Sequence, residues 1–66
     1  MASNTRGKLK ENFEGIHRNL DWVKHHCQKS IDIIDSKHPS LTKAVKALAE
    51  SVDTLDECAQ GIYSTL

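Results

Sequence analysis

The sequence predicts an all-α protein, an antiparallel two-helix hairpin that assembles into a homo-oligomeric, coiled-coil-like helical bundle. Two apolar series predict the helices, because their alternating steps of three and four residues place side chains on one helix face. The first series has Ser30 as its polar member and otherwise comprises Leu9, Phe13, Ile16, Leu20, Val23, Cys27 and Ile34. The second comprises Leu41, Val45, Leu48, Val52, Leu55, Ala59, Ile62 and Leu66.

The turn between the helices is predicted by the stretch DSKHPSL. Proline disfavours helical geometry at the preceding His38, and its own fixed φ suits the first turn of a helix. We therefore expect helix one over about 5–36 and helix two over about 39–63, after a disordered N-terminus of residues 1–4. Because so short a connection forces antiparallel packing, residues 5–66 should form a single helical-hairpin domain.

The two apolar series also predict the register of the hairpin. When they face each other, the numbers of paired residues add up to about 75, as for Cys27 with Leu48 and Val23 with Val52. Cys27 and Cys58 are about ten residues out of this register, roughly 15 Å apart at a rise of about 1.5 Å per residue. An intrachain disulfide is therefore excluded, and Cys27 is expected in the core.

The length of 66 residues predicts oligomerisation, because a single core of this size is marginal and two cysteines are too few for a disulfide scaffold. A second face offers the contact. On helix two it is a stripe of small residues: Ala44, Ala47, Ser51, Thr54, Cys58 and Gly61. On helix one it comprises Gly15, Asn19, Trp22, His26, Lys29 and Ile33. The alternative is that the small residues are ordinary helix surface.

The composition of the chain predicts where the protein is located. No apolar run approaches the roughly 18–20 residues of a membrane span, and the N-terminal MASNTRGK lacks the apolar core of a signal peptide. We therefore expect a cytoplasmic protein with reduced thiols and no membrane partner.

The net charge is zero, with six basic and three acidic residues in 1–30 and three basic and six acidic in 31–66. This asymmetry is too mild to indicate binding to duplex nucleic acid.

The stretch His25-His26-Cys27 looks like a metal or catalytic site, but its geometry predicts neither. Successive helix residues point about 100° apart, so three in a row cannot converge on one ion or form a nucleophile–base pair. Asp21, one turn before His25, is a weak carboxylate partner for it. With no phosphate-binding loop and no serine motif, we expect no enzyme, no catalytic residue, no metal and no cofactor. A metal shared between subunits is the open alternative.

A binding role remains, centred on the pair formed by Trp22 and His26 at i and i+4. An aromatic platform with hydrogen-bonding groups and positive charge suits an anionic ligand with a stackable ring, such as a nucleotide, or an acidic protein partner. The alternative is that Trp22 fills the oligomer interface. The candidate ligand-binding residues are Trp22, His26, Asn19, Arg18, Lys29 and His25.

The helical hairpin over residues 5–66 resembles two groups of small oligomeric proteins. One is the phage anti-CBASS sponges, an anti-defence family whose ligand pockets between protomers sequester cyclic-nucleotide immune signals. The other is the Rop-type plasmid regulators, four-helix bundles that bind paired RNA loops. The resemblance is one of architecture and carries over no binding residue.

Three functions follow as expectations. The first resemblance implies sequestration of a nucleotide-like anionic signal in pockets between protomers, which we favour. A protein-interaction module, an inhibitor or adaptor, would instead expose an apolar patch near Trp22 or Tyr63. RNA binding is less favoured, because no face is clearly basic, and it would depend on Arg6, Lys8, Lys10, Arg18 and Lys24.

Overall fold

The chain forms two α-helices that pack against each other in a computed structural model: α1 (Ala2–Ile34) and α2 (Pro39–Tyr63). The structure describes residues 2–34 and 37–66, with side chains from Asn4 onward. Within these ranges there is no β-strand, and neither helix combines the length and apolar character needed to cross a membrane. The predicted all-α hairpin is confirmed.

The second helix begins and ends where the sequence predicts. Pro39 lies in its first turn, and His38 has the extended backbone (φ −134°, ψ 80°) that proline favours in its predecessor. At the other end, the Ser64 amide donates to the Gln60 carbonyl at 2.9 Å, and the next two amides close shorter turns.

The first helix begins at Ala2, three residues before its predicted start near Thr5. No proline interrupts these residues, and each one added to an existing helix gains a backbone hydrogen bond. The predicted last residues of this helix, Asp35 and Ser36, lie outside the described residues, as does Met1.

The register agrees with the prediction. Three polar side-chain contacts between the helices join residues whose numbers add up to between 73 and 77, around the expected 75. These pairs are His17 with Asp56 at 2.8 Å, Glu14 with Tyr63 at 2.8 Å, and Lys24 with Asp53 at 3.1 Å.

The interface between the helices is rotated from the predicted seam. Each helix presents two interleaved columns of buried or half-buried side chains. On α1 these are Lys10, Phe13, His17, Leu20, Lys24, Cys27, Ile31 and Ile34. On α2 and directly after it they are Thr42, Val45, Ala49, Val52, Asp56, Ala59, Tyr63 and Leu66. Half of the predicted seam is therefore in the interface, and the other half is not.

The displaced half of the seam forms what we call the open flank. Its side chains are between 39% and 58% exposed, where the sequence analysis expected core. They are Leu9, Ile16 and Val23 on α1, and Leu41, Leu48, Leu55 and Ile62 on α2. Thr42 and Ala49 are smaller than the flanking leucines, so an interface through them lets the two helix axes approach more closely.

Both columns of the open flank lie on the same side of the hairpin. Each of its residues directly precedes an interface residue, as Val23 precedes Lys24. In an antiparallel helix pair, equivalent positions of the two helices meet on the same side. The opposite side shows this directly, because Lys24 contacts both Asp21 and Asp53, which occupy equivalent positions on α1 and α2. We call that opposite side, which carries Asp21, Lys24 and Asp53, the charged flank.

Candidate functional site

Three aromatic rings cluster on the outer surface of α1, around Trp22. The indole of Trp22 is 62% exposed. The His26 ring stacks beside it, with ring centroids 5.9 Å apart and planes inclined by 29°, and the His25 ring meets it edge-on at 5.6 Å. The spacings of three and four residues place all three rings on adjacent turns of one helix.

Arg18 supplies positive charge beside these rings. It lines a surface groove of about 370 Å³ together with Asp21, Trp22 and His25. Within residues 4–34 and 37–66, the guanidinium of Arg18 forms no ion pair, whereas Asp21 contacts His17 at 3.4 Å and Lys24 at 3.5 Å. The charge of Asp21 is thus balanced inside the protein, while that of Arg18 is available to a ligand. We call Arg18, Trp22, His25 and His26 the Trp22 platform.

The other two predicted site residues do not line the groove beside Trp22. Asn19 lines a different groove, which it shares with Arg18 and Lys8. Lys29 is exposed and lines neither the groove beside Trp22 nor the groove of Asn19. The predicted pairing of His25 with Asp21 is also replaced, because the Asp21 carboxylate turns toward His17 and Lys24 on the charged flank.

The stretch His25-His26-Cys27 divides between two environments. Cys27 is buried against α2, whereas both histidines are exposed on the outer surface of α1. Cys27 and Cys58 are both free thiols, and Cys58 is exposed. The three side chains therefore do not form a common site within the chain.

The charged flank carries a cluster that the sequence analysis missed. Its centre is Asp56, buried at 9% exposure, whose Oδ1 accepts a hydrogen bond from Nδ1 of His17 at 2.8 Å. The second ring nitrogen of His17 faces Asp21, and the Lys24 ammonium lies within 4 Å of Asp21, Asp53 and Asp56. A signal was present, since Lys10, His17 and Lys24 recur every seven residues, directly after Leu9, Ile16 and Val23.

Electrostatic coupling shifts the pKa values of this cluster. The hydrogen bond that His17 donates to Asp56 raises the pKa of His17 above its ordinary value, and the same bond lowers the pKa of Asp56. The hydrogen bond to Asp53 raises the pKa of Lys24. Nearby, the Tyr63 hydroxyl donates to Glu14, and this bond raises the tyrosine pKa. Each shift favours the protonation state in which the partners attract.

The ligand atoms of His17, Asp21 and Asp56 lie within 4.8 Å of one another, a spacing at which they could hold a metal ion. A cation is already present, however, because the Lys24 ammonium lies 3.5 Å from Asp21 and 3.9 Å from Asp56. The bond from His17 to Asp56 uses one ring nitrogen as donor. Ion pairing accounts for this cluster without a metal.

The chain was compared with known proteins. No protein-family model, curated protein or solved structure matches it. Function is therefore inferred from the chain's own side chains. The charges of the charged flank pair with one another, whereas the Trp22 platform presents an exposed ring and a guanidinium that has no ion-pair partner in the described part of the chain. Of the two, the platform is the group with capacity left for a ligand.

Proposed function

We propose that this protein is a small, non-enzymatic, oligomeric binding protein of the cytoplasm that sequesters a nucleotide-like anion at the Trp22 platform. The observation that carries the proposal is the exposed indole of Trp22, stacked beside His26 and next to Arg18, which forms no ion pair with any described residue. A base would stack on the indole, and its phosphate would accept hydrogen bonds from the guanidinium.

The interaction energies expected at the Trp22 platform predict a binding site of modest affinity. Stacking of a base on an aromatic side chain contributes roughly 1–3 kcal/mol. A charge-assisted hydrogen bond to phosphate contributes about 1.5–3 kcal/mol. Together these terms give at most about 6 kcal/mol, so even before the cost of immobilising the ligand one platform binds no more tightly than roughly 40 µM. Because α1 alone supplies the groove, the proposed site is complete within one protomer, unlike the pockets between protomers of the sponge family.

Fluorescence tests this proposal directly, because Trp22 is the only tryptophan of the chain. We expect AMP and cyclic dinucleotides to quench its emission saturably, and inorganic phosphate to leave it unchanged. Arg18→Ala should weaken nucleotide binding at least tenfold. Arg6→Ala removes the same charge from an exposed position near the start of α1 and should bind like the wild type. Equal affinity in both variants, or no saturable quenching at millimolar nucleotide, would overturn the proposal.

A second candidate, a protein-interaction module, is favoured by a separate observation. Ile33, three turns along α1 from Trp22, is 82% exposed and contributes a second large apolar side chain to the same outer surface. An acidic protein segment could cover both residues. Titration with an acidic amphipathic peptide separates the candidates, because Ile33→Ala should weaken peptide binding and leave nucleotide binding unchanged.

RNA binding is less well supported than nucleotide binding, because few of the basic side chains are available to phosphates. Of the five cations expected to carry it, Lys24 is engaged by three carboxylates on the charged flank. The remaining four are Arg6, Lys8, Lys10 and Arg18. So few cations predict a weak phosphate contribution and a shallow dependence of affinity on salt.

A further inference from the structure

The open flank is an apolar surface that the hairpin leaves uncovered. Its seven side chains are all Leu, Ile or Val, and none is more than 61% removed from water. They repeat every seven residues along both helices, with Ser30 as the next position of the α1 column. No charged residue interrupts either column. Contiguous apolar surfaces of this kind mark interaction sites.

The hairpin has only a small core of its own. Among the described residues, only Cys27, Val52 and Ala59 are buried apolar side chains, and none of the large ones is fully buried. A chain of 66 residues is marginal even with a well-formed core. Of the nine exposed large apolar side chains among the described residues, seven lie on the open flank, so covering this flank is the main stabilising step available to the protein.

We infer that a second copy of the chain covers the open flank, related by a two-fold axis, so that two hairpins form a four-helix bundle. A two-fold interface brings the same surface of each copy together, and columns that repeat every seven residues on both helices can interdigitate with themselves. Because the chain needs this cover to be stable, its partner must be present wherever the chain is made. A second copy always meets that condition.

The size of the surface fits this occupant. The Cα atoms of the hairpin extend over 55 × 15 × 12 Å. The broad side is therefore about 800 Å² in area, which is the usual contribution of each partner to a stable interface. Ala44, Ser51 and Cys58 border the α2 column and are small, so they allow the helices of a second hairpin to approach closely.

The dimer is a specific form of the oligomer in the proposed function. It rests on that function only in requiring that the chain self-associates, and not in requiring that it binds a nucleotide. Trp22 precedes Val23 by one residue and so points about 100° away from the open flank. The Trp22 platform would therefore stay accessible in the dimer. Loss of nucleotide binding and loss of the dimer are thus separable, because they depend on different residues.

The first test is the mass of the native full-length chain, by native mass spectrometry and sedimentation equilibrium. We expect twice the 7.4 kDa chain mass and a melting temperature that rises with protein concentration, as for folding coupled to dimerisation. A folded monomer, a native mass other than the dimer's, or a melting temperature independent of concentration would overturn the inference.

The second test locates the interface with a matched pair of variants. Leu48→Lys places a charge in the middle of the open flank, and Ala47→Lys places the same charge one residue away, on the small stripe. We expect Leu48→Lys to lose the dimer or unfold at concentrations where Ala47→Lys remains a folded dimer. Dissociation of Ala47→Lys with retention of the Leu48→Lys dimer would assign the interface to the small stripe and refute the open flank.

Discussion

Nδ1 of His17 in α1 lies 2.8 Å from Oδ1 of Asp56 in α2, and this hydrogen bond crosses the helix interface on the charged flank. Asp56 is a buried polar residue between two apolar ones, Val52 and Ala59. Lys24 adds a second cation 3.9 Å from the same carboxylate. Since an unpaired buried carboxylate is costly, this network favours the observed pairing of α1 with α2.

Stability should therefore depend on pH. The pKa of His17 is raised in the folded protein, so its contribution is complete below about pH 6.5 and is lost as pH rises through the folded pKa. The pKa of Asp56 is lowered, so its contribution is complete above about pH 3.9 and is lost as pH falls through the folded value. We expect the urea midpoint to be highest between about pH 4 and 6.5.

The histidine responsible can be identified with two variants. His17→Gln should flatten the loss of stability on the alkaline side, because it removes the titrating ring. His38→Gln alters an exposed histidine beside the turn and should keep the wild-type profile. NMR titration of the wild-type ring protons would also show the raised pKa of His17 directly. Identical pH profiles for the two variants would contradict the role given to the pair.

Leu55→Ala measures how deeply the open flank is covered in solution. In an isolated hairpin this side chain is 58% exposed, so its truncation should cost less than about 1 kcal/mol. In the dimer it should cost about 2–3 kcal/mol, as for a core leucine. Urea unfolding gives the value, and Val52→Ala, a truncation inside the hairpin, provides the reference at about 2 kcal/mol. A Leu55→Ala cost well below that of Val52→Ala would argue against coverage of the flank.

Gly61→Ala should stabilise the protein. A Cβ atom built at this helical position meets no heavy atom within 4 Å. The substitution therefore gains about 0.5–1 kcal/mol of helix propensity without a clash. An increase in the urea midpoint would agree with a solvent-exposed small stripe. A decrease would indicate that another chain lies against Gly61, contrary to an interface on the open flank.

The sequence by itself determined both helices, the turn at Pro39 and the register. These features depend on local geometry, namely the spacing of apolar residues and the backbone restrictions of proline. The burial of Cys27 followed from the same spacing. The platform was also visible in part, because residues three and four apart on a helix must be neighbours, as Trp22 and His26 are.

Only the tertiary structure decided how far each helix is rotated about its own axis. An apolar series defines a broad stripe, and a shift of one position turns a helix by about 100°. The small side chains of Thr42 and Ala49 allow close packing at the observed rotation, and the leucines beside them are left on the open flank. This rotation requires His17 and Asp56 to enter the interface. Polar residues are tolerated there because their charges are complementary, and complementarity across 39 residues of sequence becomes visible only when both helices are in place.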